Sequence, residues 1–204
     1  KNIKLKIDIN ELDETLVWQN VYNFEEPFPI LLKKGLQKYS SKNTIWIETG
    51  TYMGETAEFL SRISKFIFTI EPSEKLFEYS KEACQDLKFK NLKIIKGTSE
   101  DHLDNIISDI DKDSIVSFWL DGHWSGGDTF KGDQDPPIKS ELETISKYIQ
   151  KFTEITVLVD DFRLFDNNYK IEIYPDKEYL IKLAKDNNLD WKISRDIFIA
   201  HQIK

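Results

Sequence analysis

The feature that most constrains the fold is an alternation of short apolar runs with amphipathic segments, which begins at Thr44. The apolar runs have the length of buried strands, and the segments between them have apolar residues at helical spacing. Strands joined through helices form a parallel sheet with helices on both faces. The sequence therefore predicts a doubly wound α/β sheet. The predicted strands are 45–49, 66–70, 92–95, 114–120 and 155–159, followed by an antiparallel pair, 189–194 and 196–202, and the predicted helices are near 55–64, 73–87, 100–110, 138–152 and 177–186.

The segment that precedes this alternation, residues 1–43, has a different character. It is rich in aromatic residues, and the prolines at 27 and 29 interrupt it, because proline removes a backbone donor and restricts its neighbour. A helix is predicted near 30–39. We expect 1–43 to form a cap or lid on a single domain that spans 44–204, and a role in packing alone is an equal alternative.

Composition limits the partners and the compartment. Twenty-eight Lys and Arg residues against 36 Asp and Glu residues give a formal net charge of −8, which argues against nucleic acid as a partner. Cys84 is the only cysteine, so an intrachain disulfide is impossible, and this fits a reducing cytoplasm. No apolar run approaches the roughly 20 residues that span a bilayer. We expect a cytoplasmic protein without a membrane partner. The sequence leaves the oligomeric state open, a homodimer included.

Polar residues follow or end each of the five predicted parallel strands. Ligands of open α/β sheets bind beyond the carboxyl ends of the strands, so these residues are candidates for a binding site. The residues are Glu48, Glu71, Thr98, Asp121 and Asp160.

The turn after the first strand indicates which ligand is bound. It has the spacing E-x-G-x-x-x-G over 48–54, with Gly50 and Gly54, in place of the G-x-G-x-x-G of dinucleotide sites. A helix that begins near Glu55 would direct its unpaired N–H groups at the turn. An acidic residue at Glu48 would repel a pyrophosphate and suit a cationic ligand. A nicotinamide oxidoreductase is therefore disfavoured.

This spacing resembles the first motif of class I S-adenosylmethionine-dependent methyltransferases, and the resemblance extends over roughly 44–204. It implies a Rossmann-like fold with a seven-stranded sheet and S-adenosyl-L-methionine as the cofactor. By position it also implies that Glu71 accepts hydrogen bonds from the ribose hydroxyls and that Gly97 lies near the adenine. The cofactor-binding residues that follow from it are Glu48, Gly50, Thr51, Gly54, Thr56, Glu71, Pro72, Gly97, Thr98, Ser99 and Asp121.

Two acidic sites further along the chain resemble metal-dependent small-molecule O-methyltransferases, both the catechol type and those that act on sugars. Asp121 follows the fourth strand, and Asp160 and Asp161 follow the fifth. Oxygen ligands of this kind suit Mg²⁺. The resemblance implies that the three carboxylates hold the cation and that His123 is the base that accepts the hydroxyl proton, or a further ligand. Turn capping by the Asp pair and a structural histidine remain alternatives.

The expected function is thus divalent-cation-assisted O-methylation of a small polar hydroxyl compound such as a sugar or glycan precursor. The Gly- and Asp-rich loop 122–137 and Arg163 border this site; Arg163 either pairs with the acidic residues or holds an anionic substrate group. Two alternatives remain open: a metal-independent N- or O-methyltransferase of the same fold, and a non-catalytic module that binds S-adenosylmethionine or another nucleoside.

Overall fold

The computed structural model describes residues 29–86, 89–122, 136–165 and 174–203. Seven strands form one sheet in the order β3-β2-β1-β4-β5-β7-β6. The first five are parallel, and β7 pairs antiparallel with both β5 and β6. This is the predicted Rossmann-like α/β architecture with C-terminal antiparallel strands. The strands are β1 Thr44–Thr49, β2 Phe66–Glu71, β3 Leu92–Lys96, β4 Ile115–Leu120, β5 Glu154–Val159, β6 Asp190–Ser194 and β7 Ile197–Ile203.

The helices follow the predicted order, with one that is shorter than predicted. The fifth ends at Ser146 because the chain then tightens into i→i+3 hydrogen bonds, such as Tyr148 N to Ile145 O at 2.9 Å, and continues as a 3₁₀ turn at Ile149–Lys151. A second 3₁₀ turn is Phe162–Leu164. The helices are α1 Pro29–Gln37, α2 Glu55–Ile63, α3 Glu74–Asp86, α4 Ser99–Asp109, α5 Ile138–Ser146 and α6 Lys177–Asp186.

Two apolar clusters lie on opposite faces of the sheet. Adjacent residues of a strand alternate between them: Trp46 belongs to one cluster and Ile47 to the other. Helices α4, α5 and α6 cover the face of Ile47, and α1 and α2 cover the face of Trp46. Cys84 of the helix Glu74–Asp86 is buried.

Helix α1 and the chain after it pack on the sheet. Leu36 is fully buried, Ser117 Oγ donates to the Tyr39 carbonyl at 3.0 Å, and Trp46 Nε1 donates to Ser40 Oγ at 3.0 Å. These contacts tie 29–43 to the sheet. The remainder of the predicted cap or lid, 1–28, lies outside the described residues.

The carboxyl ends of three central strands lie side by side. Asp121 N donates to Thr49 O at 3.2 Å, and Asp160 N donates to Leu120 O at 3.1 Å, so the ladder continues one residue past β4 and β5. Residues that follow β1, β4 and β5 therefore border one edge of the sheet. In the described part of the chain, no helix has both the length and the apolar character to cross a membrane.

Candidate functional site

The turn after β1 brings the backbone of two strands into contact. Gly50 has φ of +85°, and a Cβ added there would lie 2.5 Å from the carbonyl oxygen of Asp121. Its N–H donates to Ile70 O at 3.0 Å, which fixes the turn over the end of β2. Both the left-handed conformation and the close approach require glycine at this position. The first glycine of the predicted motif thus shapes the junction of β1, β2 and β4.

The second glycine begins the helix. Gly54, at φ +83°, is the N-cap of α2, and a Cβ there would contact Ser80 and Cys84 at 3.4 Å. Between the glycines, Tyr52 has φ of +49° and an exposed side chain, and its N–H donates to Glu71 Oε2 at 2.8 Å. The partly exposed Thr56 lies in the first turn of α2. The turn and α2 therefore have the strand–turn–helix arrangement that the sequence predicts, and the Tyr52 N–H connects the turn directly to Glu71.

Glu71 ends β2 with a carboxylate that the backbone holds in place. Ser73 N donates to Oε1 at 2.9 Å while Tyr52 N binds Oε2, and the residue is only 3% exposed. Burial raises the pKa of Glu71, and the two backbone N–H groups partly oppose that rise. Each oxygen keeps a lone pair for a further donor. The geometry is compatible with the predicted binding of ribose hydroxyls, which stays a prediction.

Glu48 is enclosed near the end of β1. Its carboxyl is 1% exposed, accepts a hydrogen bond from the Thr69 hydroxyl at 2.6 Å, and has a pKa raised to about 8 by burial. Thr51 Oγ1 lies 2.6 Å from the same hydroxyl. Burial favours the neutral carboxyl, whereas a bound cation would favour the ionised form, and attraction of a cationic ligand by Glu48 stays a prediction. Contact between Glu48 or Thr51 and the cofactor remains untested.

The turn after β3 is shaped by a histidine that the sequence analysis did not use. His102 Nε2 lies 3.0 Å from the Lys96 carbonyl oxygen, and a side chain on Gly97, at φ +136°, would collide with the imidazole. Thr98 is the N-cap of α4: its Oγ1 accepts from Asp101 N at 3.3 Å. The Gly97–Ser99 turn thus stands at the edge of the site where the adenine is expected.

A small pocket lies at the carboxyl ends of β4 and β5. Asp121 and Asp160 both line it, which confirms that the ends of the fourth and fifth strands are neighbours. Its described lining is completed by Leu120, Gly122, Pro136, Pro137, Ile138, Glu141, Val159, Phe165 and Tyr174.

The two aspartates after β5 have different surroundings. Burial, and then the charge of Asp161, raise the pKa of Asp160 to about 8. Asp161, at φ +53°, forms an ion pair with Arg163 at 2.7 Å, and Arg163 also pairs with Asp196 in the turn between β6 and β7. Pairing of Arg163 with the acidic residues, one of its two predicted roles, is confirmed.

The carboxyl that the sequence analysis missed is Glu141 in the first turn of α5. It is 2% exposed, and burial raises its pKa to about 7, although the nearby Ser99 and Thr49 hydroxyls lower it. Even so, Oε1 of Glu141 and Oγ1 of Thr49 lack a partner at hydrogen-bonding distance. Glu141 lies three residues after Ile138 and four before Ile145, both buried, so helical periodicity alone would have placed it on the inward face.

The predicted metal site is not assembled in the described residues. No three His, Cys, Asp or Glu side chains among them are grouped so that they could hold a metal ion. A cation at Asp161 would have to compete with Arg163. His123, the predicted base or ligand, lies outside the described residues, as does most of the loop 122–137. Metal binding at Asp121, Asp160 and Asp161 therefore stays a prediction.

Comparison with known proteins places the fold. No family model and no curated protein sequence matches the chain. Among solved structures, the O-methyltransferase from Bacillus cereus in complex with S-adenosylhomocysteine is 15% identical, with a TM-score of 0.59, over 98% of this chain and 94% of that one. An rRNA methylase from Streptococcus thermophilus is 15% identical, with a TM-score of 0.53, over 87% of this chain and 98% of that one.

A third similar structure shows that this likeness does not decide the activity. Precorrin 8w decarboxylase from Methanobacterium thermoautotrophicum is 11% identical, with a TM-score of 0.54, over 86% of this chain and 90% of that one. The chain thus has the class I methyltransferase fold. At these identities the likeness extends to the fold alone, and the names of the three proteins give different activities.

Proposed function

We propose that this protein is an S-adenosylmethionine-dependent methyltransferase that acts on a hydroxyl of a small polar compound such as a sugar or glycan precursor. The observation that carries the proposal is the continuity between two sites at one sheet edge. The turn after β1, held by Glu71, meets the backbone of Asp121, which itself lines the pocket at the ends of β4 and β5. A donor on the first site would face an acceptor in the second.

The residues of the chain that bind the cofactor would be those of the turns after β1, β2 and β3. Glu71 would accept hydrogen bonds from the ribose hydroxyls, and the turn at Gly50 would contact the methionine part. Bound S-adenosylmethionine supplies an electrophilic methyl group. The pocket would hold the acceptor in line with that methyl group. Alignment of this kind by itself substantially lowers the activation barrier of methyl transfer.

Cation assistance is the finer part of the proposal, and the described residues do not favour it. Asp121 and Asp160 share the pocket, but Asp161 is paired with Arg163. We derive no step through a metal. The pairing of Asp161 favours a second candidate function, a metal-independent methyltransferase of the same fold, with His123 as the proposed proton acceptor.

The chain's acidity helps to choose the substrate class. A net charge of −8 is unfavourable for binding a phosphate backbone, so a small acceptor is preferred over RNA even though an rRNA methylase shares the fold.

The test is transfer of a labelled methyl group from S-adenosylmethionine to a panel of hydroxyl and amino compounds, with and without EDTA. We expect label in a small hydroxyl compound. Loss of transfer in EDTA, restored by Mg²⁺, together with loss in Asp160→Ala, would support cation assistance. Transfer that survives EDTA would establish the metal-independent candidate. Transfer only to RNA would contradict the proposed substrate class.

A further inference from the structure

The charged residues in the described lining of the pocket beside Asp121 are all acidic. Three carboxyl side chains, those of Asp121, Glu141 and Asp160, border it, and none of the described lining residues is basic. A pocket of this composition is suited to a ligand that donates hydrogen bonds and carries positive charge.

Two buried polar atoms in its wall have no partner at hydrogen-bonding distance. Glu141 Oε1 and Thr49 Oγ1 have no hydrogen-bond partner, and each residue is only 2% exposed. Thr49 ends β1 next to the pocket, since a Cβ on the pocket residue Gly122 would lie 3.1 Å from its Oγ1. Such buried, unpaired groups cost free energy that a bound donor can recover. The arrangement is therefore explained by a ligand group placed between β1 and α5.

Building on the proposed function, we infer that Glu141 and Thr49 bind a protonated amino group of the methyl acceptor. A divalent cation fits less well, because it needs several oxygens converging within about 2.0–2.6 Å and no such three-residue group exists among the described residues. A neutral hydroxyl would supply a donor but no positive charge for the three carboxyl groups that border the pocket. An ammonium group supplies three N–H donors and one positive charge.

The inference narrows the chemical class of the methyl acceptor. An ammonium nitrogen has no lone pair and cannot attack the methyl group, so the amino group bound at Glu141 is an anchor and a different atom is methylated. The acceptor class is then an amino-bearing hydroxyl compound, and Glu141 is a specificity-determining residue.

The experiment uses the whole chain saturated with S-adenosylhomocysteine and follows its melting temperature against increasing ethanolamine or ethylene glycol at equal ionic strength. The two probes differ in one amino group. We expect ethanolamine to bind about tenfold or more tightly than ethylene glycol, as a charge-assisted hydrogen bond predicts. Glu141→Gln should reduce the preference to about twofold or less. Glu143→Gln, an exposed glutamate on the same helix, should retain it.

Equal binding of the two probes by the wild-type protein, or an undiminished preference in Glu141→Gln, would overturn the inference. So would stabilisation by MgCl₂ that Glu141→Gln abolishes, because the site would then take a metal. If Glu141→Gln does not fold, Thr49→Val replaces it and should weaken the preference several-fold. Failure of S-adenosylhomocysteine to bind at all is a separate result, which contradicts the proposed function.

Discussion

The two halves of the site differ in how their polar groups are satisfied. At the ends of β1 to β3, Glu71 holds two backbone N–H groups and Glu48 is bonded to Thr69. In and beside the pocket at the ends of β4 and β5, Glu141 of α5 and Thr49 of β1 keep unpaired buried atoms. The first half is organised before any ligand arrives. We propose that a ligand completes the second half and that this half selects the methyl acceptor.

The largest expected effect comes from disturbing the organised half. Gly50→Ala should lower the free energy of unfolding by about 2–5 kcal/mol, because the new Cβ combines a left-handed backbone with a clash against Asp121 O. Urea denaturation measures the change. Gly35→Ala is the matched control: nothing lies within 4 Å of its Cβ, and this helical position should gain up to about 1 kcal/mol. Equal effects at the two glycines would show that the strand junction is not tight.

A second prediction concerns the buried carboxyl of the organised half. The pKa of Glu48 is raised from 4.5 to about 8, so between these values the folded state binds more protons than the unfolded state. Stability should therefore be highest near pH 5 and should fall as pH rises towards 8, by roughly 2–4 kcal/mol from this group. Asp160 and Glu141 act in the same direction. Glu48→Gln should flatten the profile of unfolding free energy measured from pH 5 to 8. An unchanged slope would exclude Glu48 as the origin of this pH dependence.

The smallest effect is expected beside the pocket, at the ion pairs of Arg163. Arg163 joins Asp161 to Asp196, whose backbone has φ of +60° in the turn between β6 and β7. Asp196→Asn keeps a residue that tolerates this conformation and removes the charge, and it should cost about 1–2 kcal/mol. Thermal unfolding measures it, with affinity for S-adenosylhomocysteine unchanged. A large loss of that affinity would mean that the two halves are coupled through Arg163.

The fold could be predicted from the sequence because strands and helices differ in local periodicity, and a short apolar run such as Ile45–Ile47 is typical of a strand in a parallel sheet. It also placed Asp121 beside Asp160, because parallel strand ends must meet. It could not show that Glu48 is enclosed by Thr69, since the two residues lie 21 positions apart along the chain. It offered pairing with the acidic residues as one of two roles of Arg163 and could not choose between them, because the choice depends on how the chain turns after β5. Glu141 was missed although its helical position could have revealed it.

The central claim is that the organised half is a site for S-adenosylmethionine. Calorimetric titration with S-adenosylhomocysteine and with NAD tests it directly, with Glu71→Gln as the matched variant. We expect micromolar binding of S-adenosylhomocysteine, none of NAD, and a loss of affinity of about tenfold or more in Glu71→Gln, which removes one of the two oxygens available to the ribose. Absence of S-adenosylhomocysteine binding to the wild-type protein, or binding of NAD in its place, would contradict the claim.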